Sequence, residues 1–245
     1  MIETIALNLF IIIGAMFQSL TGIGFAMIAG PFLLLSINDS YAVQVNILLN
    51  IILSILIAPK IYKSADKSLL VKISLGTIMG IPLGLIFYSN IDINTLRLLV
   101  GYLVGIMTIR LIYTSQFSSS RIKSSVFKEL ITGFVSGILT VFLAMPGPAL
   151  ATYMGETGLY DKKTTRSTIL LYFLFAYTLS ILNHIIFIGV KYNAYKSAFY
   201  FAPSIIIGVF LGTLLVPKVS EKLFKILIIF VLALTSVALI IGTLI

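Results

Sequence analysis

A chain of 245 residues that is 59% hydrophobic and only 10% charged, with a mean hydropathy of +1.12, carries more apolar surface than a soluble domain of this length can bury. The composition excludes a soluble globular protein and predicts an all-α polytopic membrane protein, a single membrane domain over residues 1–245. The net charge of +9 does not indicate a nucleic-acid partner, because the Lys and Arg residues lie in short loops between apolar runs, where they set topology. With no cysteine and one histidine, we expect no cofactor, no metal site and no catalytic residues.

Eight apolar elements follow one another along the chain, punctuated by Gly, Pro, Asn and charged residues. We predict them over residues 4–36, 40–60, 70–90, 94–114, 127–154, 164–189, 197–217 and 221–244. The Ser-rich, basic segment 115–126 separates the fourth element from the fifth. It predicts a linker between a first repeat, 1–114, and a second repeat, 127–245.

The first and fifth elements are both interrupted near their middle. The first contains QSLTGIGFAMIAGPF, from Gln18 to Phe32, and the fifth contains LAMPGPALATYM, from Leu143 to Met154. Proline supplies no N–H and fixes φ, and glycine lets the backbone turn and approach a neighbour closely. Each break therefore predicts two half-helices, and in the fifth element the second half-helix begins near Pro148.

The third and seventh elements resemble each other. GIPLGLIFYSNIDINTLRLL and GVFLGTLLVPKVSEKLFKIL align at a constant offset, which pairs Gly80 with Gly208, Gly84 with Gly212 and Arg97 with Lys225. Small residues at four-residue spacing allow helices to approach closely in lipid, and they would also permit a homodimer. Together with the paired breaks, this similarity predicts an internal repeat.

The distribution of basic residues tests the topology. If all eight elements crossed the bilayer, the 17 Lys and Arg residues would divide 10 to 7, which is almost no bias. If the fifth element enters and leaves on one face, only Arg97, Lys191 and Lys196 remain on the other side, and the division becomes 14 to 3. Short cytoplasmic loops are enriched in Lys and Arg, so the count favours a re-entrant fifth element.

By repeat symmetry we extend the re-entrant interpretation to the first element, although no Lys or Arg precedes it. Each half would then cross three times, so the halves would be two inverted four-element repeats, each opening with a broken helical hairpin. Both termini would face outward, the linker 115–126 would be cytoplasmic, and the protein would be a multi-pass component of the cytoplasmic membrane.

Non-helical backbone at membrane depth is tolerated only where protein or a water-filled cavity satisfies it, so we expect the two breaks to meet at a cavity. Half-helix N-termini favour an anion there. The predicted substrate-binding residues are the two breaks and the nearby polar side chains of the second and sixth elements: Gln18, Thr21, Gly22, Gly24, Asn46, Asn50, Pro146, Gly147, Pro148, Thr168 and Tyr172. Two alternatives stay open, namely that the breaks only kink spanning helices and that the polar side chains serve interhelical hydrogen bonding.

Titratable groups give little support for ion coupling. No carboxylate lies centrally in any predicted element. Glu156 is expected to be a solvated loop charge, and His184 to lie near a membrane interface rather than at the midplane.

The pattern resembles the TauE/SafE sulfite exporter family. GAMFQSLTGIGFAMIAGPFLL is similar to that family's Gly-rich motif followed by proline, and GFVSGILTVFLAMPGPALATYM to its Gly-Gly-Pro-type motif followed by a tyrosine. Where the family has three glycines, this chain has Gly24, Phe25 and Ala26, and a Gly-rich run is replaced by Ala144 and Met145 before Pro146. The resemblance implies export of sulfite, sulfoacetate or a related organic sulfur anion.

These observations lead us to expect a secondary transporter that exports a small anion by alternating access. Its partners are the lipid bilayer and the anion. An anion channel, or uptake of a small organic acid by the same fold, is the alternative. A membrane enzyme would need a nucleophile and base or a metal cluster at the active depth, and the sequence provides neither.

Overall fold

A computed structural model describes residues 2–114, 124–157 and 159–215, and five further positions at 233, 236, 237, 240 and 241. The secondary structure in these ranges is helical. The helices are α1 (Ile2–Thr21), α2 (Phe25–Ile37), α3 (Tyr41–Ile61), α4 (Lys67–Asn90), α5 (Ile93–Thr114), α6 (Val126–Leu143), α7 (Gly147–Thr157), α8 (Lys162–Phe187) and α9 (Tyr192–Leu215), with a 3-10 turn at Tyr62–Ser64. The predicted all-α class is confirmed, whereas most of the linker and of the eighth element lies outside the described residues.

Five helices of the described part are long and apolar enough to cross a membrane. They cover residues 41–64, 67–90, 126–143, 163–187 and 192–215. Side-chain caps fix where three of them begin. Asp66, Ser125 and Asp161 each accept a hydrogen bond from the backbone N–H three residues later, at 3.0, 3.3 and 3.0 Å.

The first predicted element folds as a helical hairpin of α1 and α2. A Cβ added to Gly14 of α1 would lie 3.4 Å from the Cα of Phe25 at the start of α2. Further along, the rings of Phe10 and Phe32 stack. A kinked but continuous helix would hold residues 14 and 25 about 16 Å apart. The chain therefore reverses direction, and α2 runs back along α1.

The fifth predicted element folds in the same way, as a hairpin of α6 and α7. Ser136 Oγ of α6 donates to Pro146 O, just before α7, at 3.0 Å. Near the open end of the hairpin, Tyr153 OH of α7 donates to Glu129 Oε1 of α6 at 3.0 Å. The beginning of α6 and the end of α7 therefore lie side by side.

Glycines allow each hairpin to pack closely against a helix of the other half. A Cβ on Gly80 of α4 would overlap Phe134 O of α6, and one on Gly208 of α9 would lie 2.5 Å from Ile12 O of α1. One turn further on, Gly212 stands 2.6 Å from Met16 O by the same measure. The first helix of each hairpin thus packs in parallel along the third predicted element of the other half.

Polar contacts define the two ends of the helix bundle. At one end, the Lys191 face, Lys191 Nζ contacts Asp39 Oδ2 at 2.7 Å and Tyr88 OH donates to Ser40 O at 3.0 Å. Burial by itself raises the pKa of Asp39, but hydrogen bonds from Lys191 Nζ and the Tyr41 N–H lower it overall, so the Asp39 carboxyl group is ionised at neutral pH.

At the opposite end, the Glu129 face, Lys72 Nζ contacts Glu129 Oε2 at 2.8 Å and Thr168 Oγ accepts from the Asp66 N–H at 2.9 Å. The basic residues that the charge count assigns to the cytoplasm belong to this end wherever the structure describes their position. The Lys191 face holds the three residues assigned to the outside.

Candidate functional site

Both chain breaks open onto one cavity beside the middle of α8. Its lining comes from the first hairpin, the second hairpin and α8: Gln18, Ile23, Gly24, Ala26 and Met27, then Met145, Gly147 and Pro148, then Phe173 and Tyr177. Phe173 lies 11 residues after the first residue of α8 and 14 before the last. The cavity is therefore at mid-length of a helix that is long enough to span a bilayer.

The first break, tip 1, is a short turn of residues 21–24 that glycine and threonine stabilise. Gly22 has a φ of 92° and Gly24 a φ of 132°, conformations that a residue with a side chain adopts only with strain. Thr21 Oγ donates to Phe17 O at 2.9 Å and accepts from the Ile23 N–H at 3.2 Å. Because these bonds satisfy backbone groups of the turn internally, it can lie inside the protein.

The second break, tip 2, covers residues 144–146 and ends α6 with a left-handed cap. Ala144 has a φ of 54°, and the N–H groups of Ala144 and Met145 donate to Thr140 O and Leu139 O at 2.9 and 3.0 Å. Tyr177 OH donates to Ala144 O at 2.9 Å, which ties the tip to α8. Pro148 then occupies the second position of α7, where its missing N–H costs no helical hydrogen bond.

A buried chain of amides links α3 to the first tip. Gln18 Nε2 donates to Asn50 Oδ1 at 3.0 Å, and Asn50 Nδ2 donates to Asn46 Oδ1 at 2.9 Å. Gln18 Oε1 accepts from the Phe25 N–H, the first of α2, at 3.1 Å. All three amide side chains are buried, so this network fixes the position at which α2 begins.

The N-termini of two half-helices meet at the cavity. Gly24, Ala26 and Met27 line it from the start of α2, and Gly147 and Pro148 from the start of α7. Gly24 caps α2 without a side-chain hydrogen bond. Unpaired N–H groups and the dipole give a helix N-terminus a partial positive charge. The described lining contains no carboxylate to oppose it, so this geometry suits an anion.

The structure brings some of the sequence-predicted site residues together and separates others. Gln18, Gly24, Gly147 and Pro148 line the cavity, and Asn50 reaches it through Gln18. Asn46 is bonded to Asn50 one step further away, while Thr21, Gly22 and Pro146 form the tips themselves.

Two predicted residues of α8 face elsewhere. Tyr172 OH contacts Thr77 Oγ of α4 at 2.7 Å, and Thr168 serves Asp66 at the Glu129 face. Neither is among the residues that line the cavity. Phe173 and Tyr177 line it instead, although sequence reasoning missed both. Their four-residue spacing, which places them on one helix face, was the available signal.

Two further side chains that the sequence did not assign to the site bind the helix ends next to the tips. Arg166 donates to Ser19 O, in the last turn of α1 just before tip 1, through Nε, at 2.8 Å, and through Nη2. His184 Nε2 lies 3.2 Å from Val141 O at the end of α6. His184 is 0% exposed and lies near the end of α8, among residues of the Lys191 face, whereas the sequence predicts it only to be near an interface.

Comparison with known families gives one match that covers nearly the whole chain. The family described as "Sulfite exporter TauE/SafE" matches residues 7–239. No curated protein and no solved structure matches.

Proposed function

Because the chain belongs to the sulfite exporter TauE/SafE family of membrane transporters, we propose that it exports a small anion across the cytoplasmic membrane by alternating access. The substrate class carried over from the family resemblance is sulfite, sulfoacetate or a related organic sulfur anion. The observation that carries the proposal is the meeting of two half-helix N-termini, those of α2 and α7, at one cavity.

Anion binding in this cavity needs no buried Lys or Arg. Each half-helix offers N–H groups and about half an elementary charge of dipole at its N-terminus. Two such termini that line one cavity can hold an anionic group together while Gln18 orients the first. Phe173 and Tyr177 supply an apolar wall, along which the cavity, about 10 Å³ in volume and large enough for one water molecule, has to widen to admit the rest of an organic anion.

The exchanged packing of the halves supports inverted repeats that rock against each other. α1 packs along α9, and α6 along α4, through matching glycine contacts. Since each hairpin packs on a helix of the other half, a movement of one half against the other moves the two tips relative to each other and reshapes the cavity between them. Such paired discontinuous helices are the usual binding elements of transporters with inverted repeats.

Export of an anion requires no coupling ion. With the cell interior negative, outward movement of one negative charge is favoured by about 2.3 kcal/mol for each 100 mV. The absence of carboxylates from the described lining of the cavity fits this uncoupled mechanism.

The test is flux of sulfite or sulfoacetate from proteoliposomes at a set membrane potential, for wild type, Gly147→Ala and Gly147→Leu. A Cβ on Gly147 would lie 3.0 Å from Phe173 Cζ and 3.2 Å from Ile23 Cγ2, so larger side chains fill the space between the tips. We expect saturable flux that falls moderately in the Ala variant and is lost in a folded Leu variant. Flux that does not saturate would indicate a channel, and full activity of Gly147→Leu would place binding elsewhere.

A further inference from the structure

One face of α8 lines the cavity at mid-helix and contacts both hairpins, one on each side of the cavity. Three residues follow Arg166 on this face: Phe173 after 7 positions, Tyr177 after 11 and His184 after 18. At 100° per residue these four side chains point in the same direction to within about 20°. The two aromatic residues line the cavity, and the outer two contact the last turns of α1 and α6, next to the hairpin tips.

Arg166 and His184 bind backbone carbonyls at equivalent positions of the two hairpins. Ser19 precedes Gly22, the first left-handed residue of tip 1, by three positions, and Val141 precedes Ala144, its counterpart in tip 2, by three positions. In each hairpin that carbonyl belongs to the last turn of the first half-helix, where carbonyl groups have no partner within the helix. Each tip is thus held to α8 by one side chain at the equivalent carbonyl.

The two attachments lie on opposite sides of the cavity. Arg166 is seven residues, about 10 Å, from Phe173 toward the Glu129 face, and His184 is seven residues, about 10 Å, from Tyr177 toward the Lys191 face. A Cβ on Gly22 would lie 3.2 Å from the Arg166 Cα, so tip 1 packs directly on α8 there. Tip 1 therefore closes the cavity toward the Glu129 face, and tip 2 closes it toward the Lys191 face.

We propose that Arg166 and His184 are the two gating residues of the transporter, Arg166 holding tip 1 closed toward the cytoplasm and His184 holding tip 2 closed toward the outside. This inference rests on the proposed alternating-access function. Alternating access requires that one attachment is released while the other holds. The export cycle starts with release of tip 1 and ends with release of tip 2.

Their different chemistry gives the gates different triggers. A guanidinium group binds a carboxylate, sulfonate or sulfite more strongly than it binds a neutral carbonyl. An anion arriving from the cytoplasm can therefore take Arg166 from Ser19 O and free tip 1. His184 contacts two neutral partners. Its Nδ1 lies 3.4 Å from Gln44 Nε2 and accepts from that amide, so the ring proton is on Nε2 and is donated to Val141 O. This weaker contact yields when the hairpin moves.

The experiment measures from which side of the membrane the cavity can be reached. The chain has no cysteine, so Met27→Cys places one thiol in the cavity lining, at a residue that is 7% exposed. A membrane-impermeant thiol reagent is applied to inside-out and to right-side-out vesicles. In the Met27→Cys parent we expect slow labelling from both sides. Adding Arg166→Gln should raise labelling several-fold from the cytoplasmic side only, and adding His184→Phe should raise it from the outside only.

Matched controls separate gating from charge and from misfolding. Lys163→Gln removes the same charge from an exposed position three residues before Arg166. Asn183→Ala alters the neighbour of His184; within the described part of the chain, the Asn183 amide donates to Leu179 O at 2.8 Å. Both should label like the parent. Arg166→Lys keeps a cationic donor and should restore slow labelling. Unchanged labelling in Arg166→Gln and His184→Phe, or labelling raised from both sides by either, would overturn the proposal.

A substrate assay separates this result from the proposed function. If no sulfur anion is transported but the two variants label from opposite sides, the gates stand and the assigned substrate is wrong. If wild type transports sulfite while neither variant changes labelling, the function stands and the gates are wrong.

Discussion

Ala144 occupies a backbone conformation that L-residues adopt only at a cost. Its φ of 54° lies in the left-handed region, which costs a residue with a Cβ roughly 1–2 kcal/mol. Ala144→Gly removes this strain but increases the entropy of the unfolded chain, so we expect a net stabilisation of roughly 0.5–1 kcal/mol. Thermal unfolding of the purified protein in detergent measures it.

The matched control for Ala144→Gly is Ala151→Gly, in the helical part of α7. There glycine relieves no strain and should destabilise by roughly 0.5–1 kcal/mol. Strain at Ala144 therefore predicts changes in unfolding free energy of opposite sign for the two variants. A lower melting temperature for both variants would show that the cap at Ala144 is not strained.

Gln18 holds together the amide network behind tip 1. Gln18→Leu leaves the buried Phe25 N–H without its acceptor and Asn50 Oδ1 without its donor. An unsatisfied buried polar group costs about 1–3 kcal/mol, so we expect a clear fall in melting temperature and loss of anion flux.

Ser89→Ala is the control for Gln18→Leu, because its hydroxyl bonds only within its own helix and lies near the surface. It should shift stability by less than about 0.5 kcal/mol. Flux and melting temperature both unchanged in Gln18→Leu would exclude Gln18 from the site.

At the scale of single elements, glycine contacts set how closely the hairpins pack. Gly80→Ala would force a Cβ into the Phe134 carbonyl, which neither backbone can avoid without moving apart. Overpacking of this kind costs about 1–3 kcal/mol or more. Gly208→Ala, whose Cβ would lie 2.5 Å from Ile12 O, should give a loss of similar size.

Gly105→Ala is the matched control, since the atom nearest to its added Cβ would be Ser236 Oγ at 2.8 Å, a side-chain atom that can rotate at the cost of its hydrogen bond to Gly101 O without any backbone movement. Its loss of stability in thermal unfolding should be clearly smaller. Equal losses at Gly80 and Gly105 would show that backbone contact does not determine packing here.

Element-level patterns in the sequence predicted the helices and both breaks. Apolar runs and their punctuation predicted the spans, and the glycines and prolines predicted where α1 and α6 end. The polarity of the side chains did not show which of them face the cavity. Thr168 and Tyr172 are polar and close to it along the chain, but α8 turns Phe173 and Tyr177 inward instead. Helix rotation is decided by packing against α3, α4 and the tips, which no local pattern records.

Long-range pairing was equally out of reach. Arg166 belongs by sequence to a basic loop cluster, and only the reach of α1 across the bundle brings Ser19 to it. His184 and Val141 lie in the same half, 43 residues apart, and the packing of α8 against α6 brings them together. Ser19 and Arg166 are 147 residues apart and belong to different halves, so their contact exists only after both halves have assembled.

For the whole molecule, the arrangement predicts which positions share a side of the membrane. The charge count predicts that the Glu129 face lies in the cytoplasm, and the contact of Tyr153 with Glu129 puts both ends of the second hairpin on that same face. Single cysteines at Ser68, Ser124 and Leu159 should therefore react only from the cytoplasm, and single cysteines at Asn90 and Asn193 only from outside. An impermeant thiol reagent on intact cells and on inside-out vesicles measures this.

The decisive comparison is Ser124→Cys against Leu159→Cys, which flank α6 and α7. If α6 and α7 form a re-entrant hairpin, both thiols react from the same side and the second half crosses three times. With a re-entrant first element as well, the halves are inverted. Reaction from opposite sides would mean that this segment crosses the membrane. The basic residues would then divide 10 to 7, and the inverted repeat, with the shared midplane site that depends on it, would be wrong. The labelling pattern of these two positions therefore tests the architecture independently of any substrate.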